Sequence, residues 1–163
     1  MKRSNTVLKK LPGLISLILL FTTSLNAQDK DSALANSVEK KNYVFIAQTA
    51  QPSSGSVRQL TSEYRLIVKG DTLKADLPYF GRAYTAPIDP SNGGINFTST
   101  DFDYNLKPKK KGGWSVSFKP KENNDVRQLI LDISADGYAN LQILSANRES
   151  ISFRGYVRVG NGK

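Results

Sequence analysis

From Asn42 to the C-terminal end, apolar and polar side chains alternate along most of the chain, and this period of two does most to limit the fold. Phe102, Tyr104 and Leu106 alternate with Asp101, Asp103 and Asn105. Trp114, Val116 and Phe118 alternate with Ser115, Ser117 and Lys119. Leu129, Leu131 and Ile133 share one parity, and Ile151, Phe153, Gly155, Val157 and Val159 share another. Successive strand residues point to opposite faces, so each run describes a strand with one dry and one wet face. Similar runs lie at about 42–49, 62–69, 72–77, 94–99 and 138–144, for roughly nine strands. Lys69-Gly70-Asp71, Lys111-Gly112-Gly113 and Ala135-Asp136-Gly137 separate neighbouring runs, each with a glycine able to take positive φ. Short links and one wet face per strand mean antiparallel neighbours. The expected fold is mainly β, an antiparallel β-sandwich or partly closed barrel; periodicity does not choose between them.

The N-terminal region follows a different rule. Residues 1–10 carry Lys2, Arg3, Lys9 and Lys10 and no acid, then an apolar run of about 15 residues ends at Leu25-Asn26-Ala27 before polar Gln28-Asp29. Positive, apolar and small-residue regions in this order are the layout of a secretory signal. The run is shorter than the roughly 20 residues of a membrane-spanning helix, and Pro12-Gly13 interrupts its start. Residues 1–27 are therefore read as a signal peptide and 28–41 as a polar, helical segment with Leu34 and Val38 on one stripe. Residues 42–160 form a single antiparallel β domain. No transmembrane span is expected once the signal is removed.

Removal of 27 of the 163 residues leaves 136, the length of one domain. The signal takes four of 23 basic residues and none of 14 acids, so net charge falls from +9 to +5. That excess favours anionic neighbours without being the charge of a nucleic-acid binder. The chain has neither Cys nor His. This removes disulfides, thiol nucleophiles, thiolate and imidazole metal sites, His-based triads and the acylated cysteine of a lipoprotein. No metal or cofactor is expected. Localisation is read as periplasmic or extracellular.

One link stands apart. Residues 78–93 are long for a connection and contain Pro78-Tyr79-Phe80-Gly81-Arg82-Ala83-Tyr84. Tyr79, Phe80 and Tyr84 with Arg82 form a candidate ligand platform for a carboxylate, sulfate or phosphate; a structural plug closing one end of the sheet is the competing reading.

The motifs N-Y-V-F-I-A-Q-T-A (42–50), L-T-S-E-Y (60–64), L-P-Y-F-G-R-A-Y (77–84), G-G-I-N-F (93–97), K-K-G-G-W (110–114) and I-S-F-R-G-Y (151–156) occur in this order. Together they resemble domain of unknown function 4251, a family of exported Bacteroidota proteins. The resemblance implies an exported β domain and carries no assigned catalytic or binding residues.

Lys107, Lys109, Lys110 and Lys111, with Lys119 and Lys121 nearby, make a basic patch suited to an anionic glycan or lipid headgroup, or else a solvated hairpin tip. Asp101 and Asp103 share a face at a spacing a glycosidase could use, but on the wet side of their strand. Asp89-Pro90-Ser91-Asn92-Gly93-Gly94 lacks the distal acid of a calcium loop, with Thr100 at the twelfth position. Asp31-Ser32-Ala33 and Asp71-Thr72-Leu73 fit a short O-glycosylation pattern, with Ser32 and Thr72 as acceptors and Thr72 expected to be exposed. The sequence reading is a non-catalytic exported β domain that binds a ligand (an anionic glycan, lipid headgroup or envelope protein) or supports a cell-envelope assembly. The competing reading is a small carboxylate-dependent hydrolase.

Mass spectrometry of the exported protein should find an N-terminus within two residues of Gln28; an intact Met1 form embedded in membrane would overturn the signal-peptide reading.

Overall fold

The structure, a computed structural model, describes residues 25–84 and 93–160. Most of the expected signal peptide and residues 85–92 of the long link lie outside the described residues. One helix precedes nine strands: α1 (Leu25–Glu39), β1 (Asn42–Pro52), β2 (Arg58–Lys69), β3 (Thr72–Leu77), β4 (Ile95–Ser99), β5 (Phe102–Pro108), β6 (Trp114–Pro120), β7 (Val126–Ile133), β8 (Tyr138–Ser145) and β9 (Ile151–Val159). Every strand expected from the alternation is present. The glycines expected at turns, Gly70, Gly112, Gly113 and Gly137, all have positive φ.

The strands form one sheet in the order β4-β3-β2-β1-β9-β8-β7-β6-β5, antiparallel throughout. Eight direction reversals separate β4 from β5 in that order, so the two edge strands run the same way. Only Thr100 and Asp101 lie between them, too few for a crossover between parallel neighbours. Residues 95–108 are therefore one strand bent in its middle. Its first half pairs with β3, from Leu77↔Ile95 to Leu73↔Ser99. Its second half pairs with β6, from Phe102↔Pro120 to Pro108↔Trp114. A strand that changes partners at a bend is how sheet corners are made. Here it brings the two edges together, and the sheet is a nearly closed barrel with eight positions around it. Of the two architectures the periodicity allowed, the barrel is the one adopted.

An eight-position barrel has an interior just wide enough for side chains. Tyr43, Phe45, Phe118, Phe153, Leu66, Leu73, Leu129, Leu131 and Leu141 are fully buried within it. Phe118 meets Tyr104 edge-on at 5.4 Å between centroids and Phe102 at 6.2 Å. Each such aliphatic or aromatic side chain contributes about 1.5–3 kcal/mol by leaving water. Gly155 on β9 is set by close approach: a Cβ there would lie against the backbone of Ile46, where β1 carries a register shift between Ala47 and Thr49.

Helix α1 closes one end of the barrel. Leu34 and Val38, the stripe read from the sequence, are buried and belong to the core. The helix stops at Lys41, whose φ of 52° is left-handed. The Lys41 carbonyl accepts from Gly70 N at 2.8 Å. The Val38 carbonyl, which a helix end leaves short of partners, accepts from the Tyr104 hydroxyl at 2.9 Å. Tyr104 in turn accepts from the Tyr43 hydroxyl at 3.2 Å. The bent strand thus holds the helix through a relay of two phenols. Burial raises the pKa of both, and the neighbouring Tyr104 raises that of Tyr43 further.

A phenol whose folded pKa exceeds its unfolded value contributes stability that is complete below the unfolded pKa and is lost as pH rises beyond it. Stability should hold to about pH 9 and fall above about pH 10, the ordinary tyrosine value. Tyr43→Phe should blunt that alkaline loss at small neutral-pH cost. Tyr104→Phe, which strips Val38 O and Tyr43 of their partner, should cost about 1–3 kcal/mol in urea unfolding.

Candidate functional site

The end of the barrel opposite α1 is built by the β1–β2, β3–β4, β6–β7 and β8–β9 links. Residues 78–84 lie there and are anchored at several points. Tyr84 N donates to Asn147 O at 2.8 Å and Glu149 N to Arg82 O at 3.0 Å, so Ala83 forms a β-bridge with Arg148. The Tyr79 hydroxyl is shared between the carbonyls of Arg82 at 2.9 Å and Glu149 at 3.0 Å. Partial burial raises the Tyr79 pKa, and the Glu149 carboxylate adds to the rise.

Arg148 ties this end together. Its Nε meets Asp125 Oδ2 at 3.0 Å, with both side chains largely buried. Its Nη1 donates to the carbonyls of Gly94 at 3.0 Å and Gly93 at 3.3 Å. Its guanidinium lies 5.2 Å from the Tyr79 ring centroid. Asp125 Oδ1 and Glu149 Oε2 are buried here and have no hydrogen-bond partner among the described residues. The sequence offered no sign of Arg148 or Asp125, since both sit in links where no periodicity operates.

The four residues singled out in the long link divide into two pairs. Tyr79 and Phe80 are half-buried and pack on the core, Phe80 beneath the Arg58 guanidinium at 4.8 Å. This is the plug. Tyr84 is 72% exposed, and Arg82 is exposed with no ion pair among the described residues. Arg82 and Tyr84 flank Ala83, the residue that the bridge to Arg148 locks.

The basic patch is not one surface. Lys109 pairs with Asp132 at 3.1 Å. Lys110 and Lys111 are exposed at the β5–β6 hairpin tip. Lys121 bridges Asp101 at 2.8 Å and Asp103 at 3.6 Å, and both carboxylates are more than half exposed. The hydrogen bond and charge of Asp101, then the charge of Asp103, raise the Lys121 pKa. Lys107 and Lys119 line a groove of about 560 Å³ on the outer face of β5, β6 and β7. Asp103, Asn105, Ser115, Ser117, Gln128 and Ile130 also line it. Sequence reasoning missed this groove; the alternating serines of Trp114–Phe118 were visible, but their neighbours depend on register.

Of the two glycosylation acceptors, Ser32 is exposed on α1, and Thr72 is half-buried at the start of β3 rather than exposed as expected. Most of the calcium-loop motif, residues 89–92, lies outside the described residues. Among the described residues, no cluster of three acidic side chains is placed to hold a metal, and no helix is long and apolar enough to cross a membrane.

These features define a small antiparallel barrel with a helical plug at one end and anchored loops at the other. The profile of domain of unknown function DUF4251 matches residues 26–157, and the chain belongs to that family. A DUF4251 family protein from Bacteroides eggerthii has a similar crystal structure, with a TM-score of 0.57 at 19% identity, covering 82% of this chain and 89% of that one. No curated protein matches.

Arg148→Ala should cost about 2–3 kcal/mol in chemical denaturation by stranding the Asp125 carboxylate. Arg148→Lys should restore only part of this, since an ammonium cannot reproduce the planar fork of contacts.

Proposed function

We propose that this chain is an exported, non-catalytic domain that binds an anionic ligand at the loop end of its barrel through Arg82 and Tyr84. The observation that carries this reading is the division of labour within residues 79–84. Tyr79 and Phe80 anchor the segment, while Arg82 and Tyr84 are exposed on the backbone they fix. Recognition groups are most effective when a rigid scaffold holds them. An exposed guanidinium and an exposed ring two residues apart suit a carboxylate, sulfate or phosphate carried on a flat or cyclic body. The packed interior supports the same reading, because it leaves ligands the ends and outer faces of the barrel.

The hydrolase reading has less to rest on. Asp101 and Asp103 share one lysine and lie in solvent, whereas acid catalysis needs a carboxyl made a weaker acid by burial or a like charge.

Calorimetric titration with sulfated, phosphorylated and carboxylated ring compounds should find a ligand whose affinity falls at least tenfold in Arg82→Ala and in Tyr84→Ala. Stability should change by no more than about 0.5 kcal/mol, as for other surface substitutions. A drop in stability well beyond that would assign Arg82 a structural role and overturn the proposal. So would unchanged affinity in both variants.

A further inference from the structure

The groove on the outer face of β5, β6 and β7 is separate from the loop end, and its shape follows from side-chain size in register. The outward residues of β6 include Ser115 and Ser117, two short polar side chains. Opposite Ser117 stand Asn105 on β5 and Ile130 on β7, and opposite Ser115 stands Lys107. A strand of short side chains between strands of longer ones is a trough. Its floor is ordered: Gln128 Nε2 donates to Ser117 Oγ at 2.8 Å. Asn105 and Ser115 have no side-chain hydrogen bond among the described residues, so their capacity is unspent.

Charge narrows the occupant. Lys109 and Lys121 are held by aspartates, but Lys107 and Lys119, the two that line the groove, have no ion pair among the described residues. They stand at opposite ends of the trough, separated by four residues of strand, roughly 14 Å. Asp103, across from Lys119, has its carboxylate turned to Lys121.

The remaining chemistry excludes other occupants. Strand β6, the floor of the groove, is paired on both sides, so its own backbone offers no edge to an extended peptide lying along the trough. Ile130 is the one aliphatic side chain of the lining and Tyr104 the one ring, together too little for an acyl chain. They do suit the C–H face of a sugar ring. We propose that this groove binds an acidic oligosaccharide. Its hydroxyls meet Asn105, Ser115, Ser117 and Gln128, and its carboxylates or sulfates meet Lys107 and Lys119. This site is independent of the loop-end reading.

The test uses the isotope-labelled protein in the form recovered from cells. The probes are tetragalacturonate, tetramannuronate and a chondroitin sulfate tetrasaccharide, with maltotetraose and sodium sulfate as controls. At least one acidic tetrasaccharide should shift the amides of residues 103–107, 115–119 and 128–130. Its affinity should fall at least tenfold in the Lys107→Ala/Lys119→Ala variant and weaken with added salt. Ser117→Leu, which fills the floor, should abolish binding, while Arg82→Ala should leave it unchanged. If Ser117→Leu does not fold, Gln128→Ala, expected to weaken binding severalfold, replaces it. The proposal is overturned if no acidic tetrasaccharide perturbs these amides, if maltotetraose binds as tightly, if sulfate alone matches the sulfated probe, or if the lysine variant binds like the parent.

Discussion

The architecture depends on a constraint of parity. Eight antiparallel pairings leave β4 and β5 pointing the same way, and two residues between them allow no return path. The only solution is one strand that bends and changes partners. The bend brings the open edges of the sheet together without a complete seam of hydrogen bonds. It also puts Tyr104 where its hydroxyl reaches the last turn of α1, and leaves Asp101 and Asp103 beside Lys121 on the outside. Barrel, helical plug and surface charge arrangement follow from one local event at Thr100-Asp101.

Closure fixes where recognition can occur. The inward faces of all nine strands contribute to a packed core, and α1 fills one end with Leu34 and Val38. What remains is the loop end, stiffened by Arg148 and Tyr79, and the outer faces of the strands. The loop end offers charge and aromatic surface on locked backbone. The groove over β6 offers hydrogen-bonding side chains with a cation at each extremity. Neither arrangement resembles a catalytic centre built from converging acids.

Much of the fold was legible because period-two alternation is a direct image of a sheet with one dry face. The runs at 102–106, 114–118 and 151–159 became β5, β6 and β9, and the glycines at 70, 112, 113 and 137 became their expected turns. The bend was not legible. Ser99-Thr100-Asp101 reads as an ordinary turn, and only the pairing partners on either side reveal that the chain keeps its direction. The candidate site was half legible. Three aromatics in a long link announced packing, but which rings pack depended on hydrogen bonds from Tyr79 to carbonyls as far away as Glu149. The lysines were seen as one patch because sequence spacing cannot reveal that Asp132 takes Lys109 and leaves Lys107. The groove was invisible for the same reason: a trough is a relation between strands.

The last strand of the chain sits in the middle of the sheet. β9 pairs on one side with β8 and on the other with β1, joining residues 42–52 to residues 151–159. The β1–β4 meander and the β5–β9 meander are joined edge to edge by this ladder, whose partners lie about a hundred residues or more apart in sequence. Such a contact is made late, because loop-closure entropy must be met before it returns any stabilisation. Neither meander can therefore close the barrel before residues 151–159 are in place. The topology makes β9 the clasp that locks both halves together.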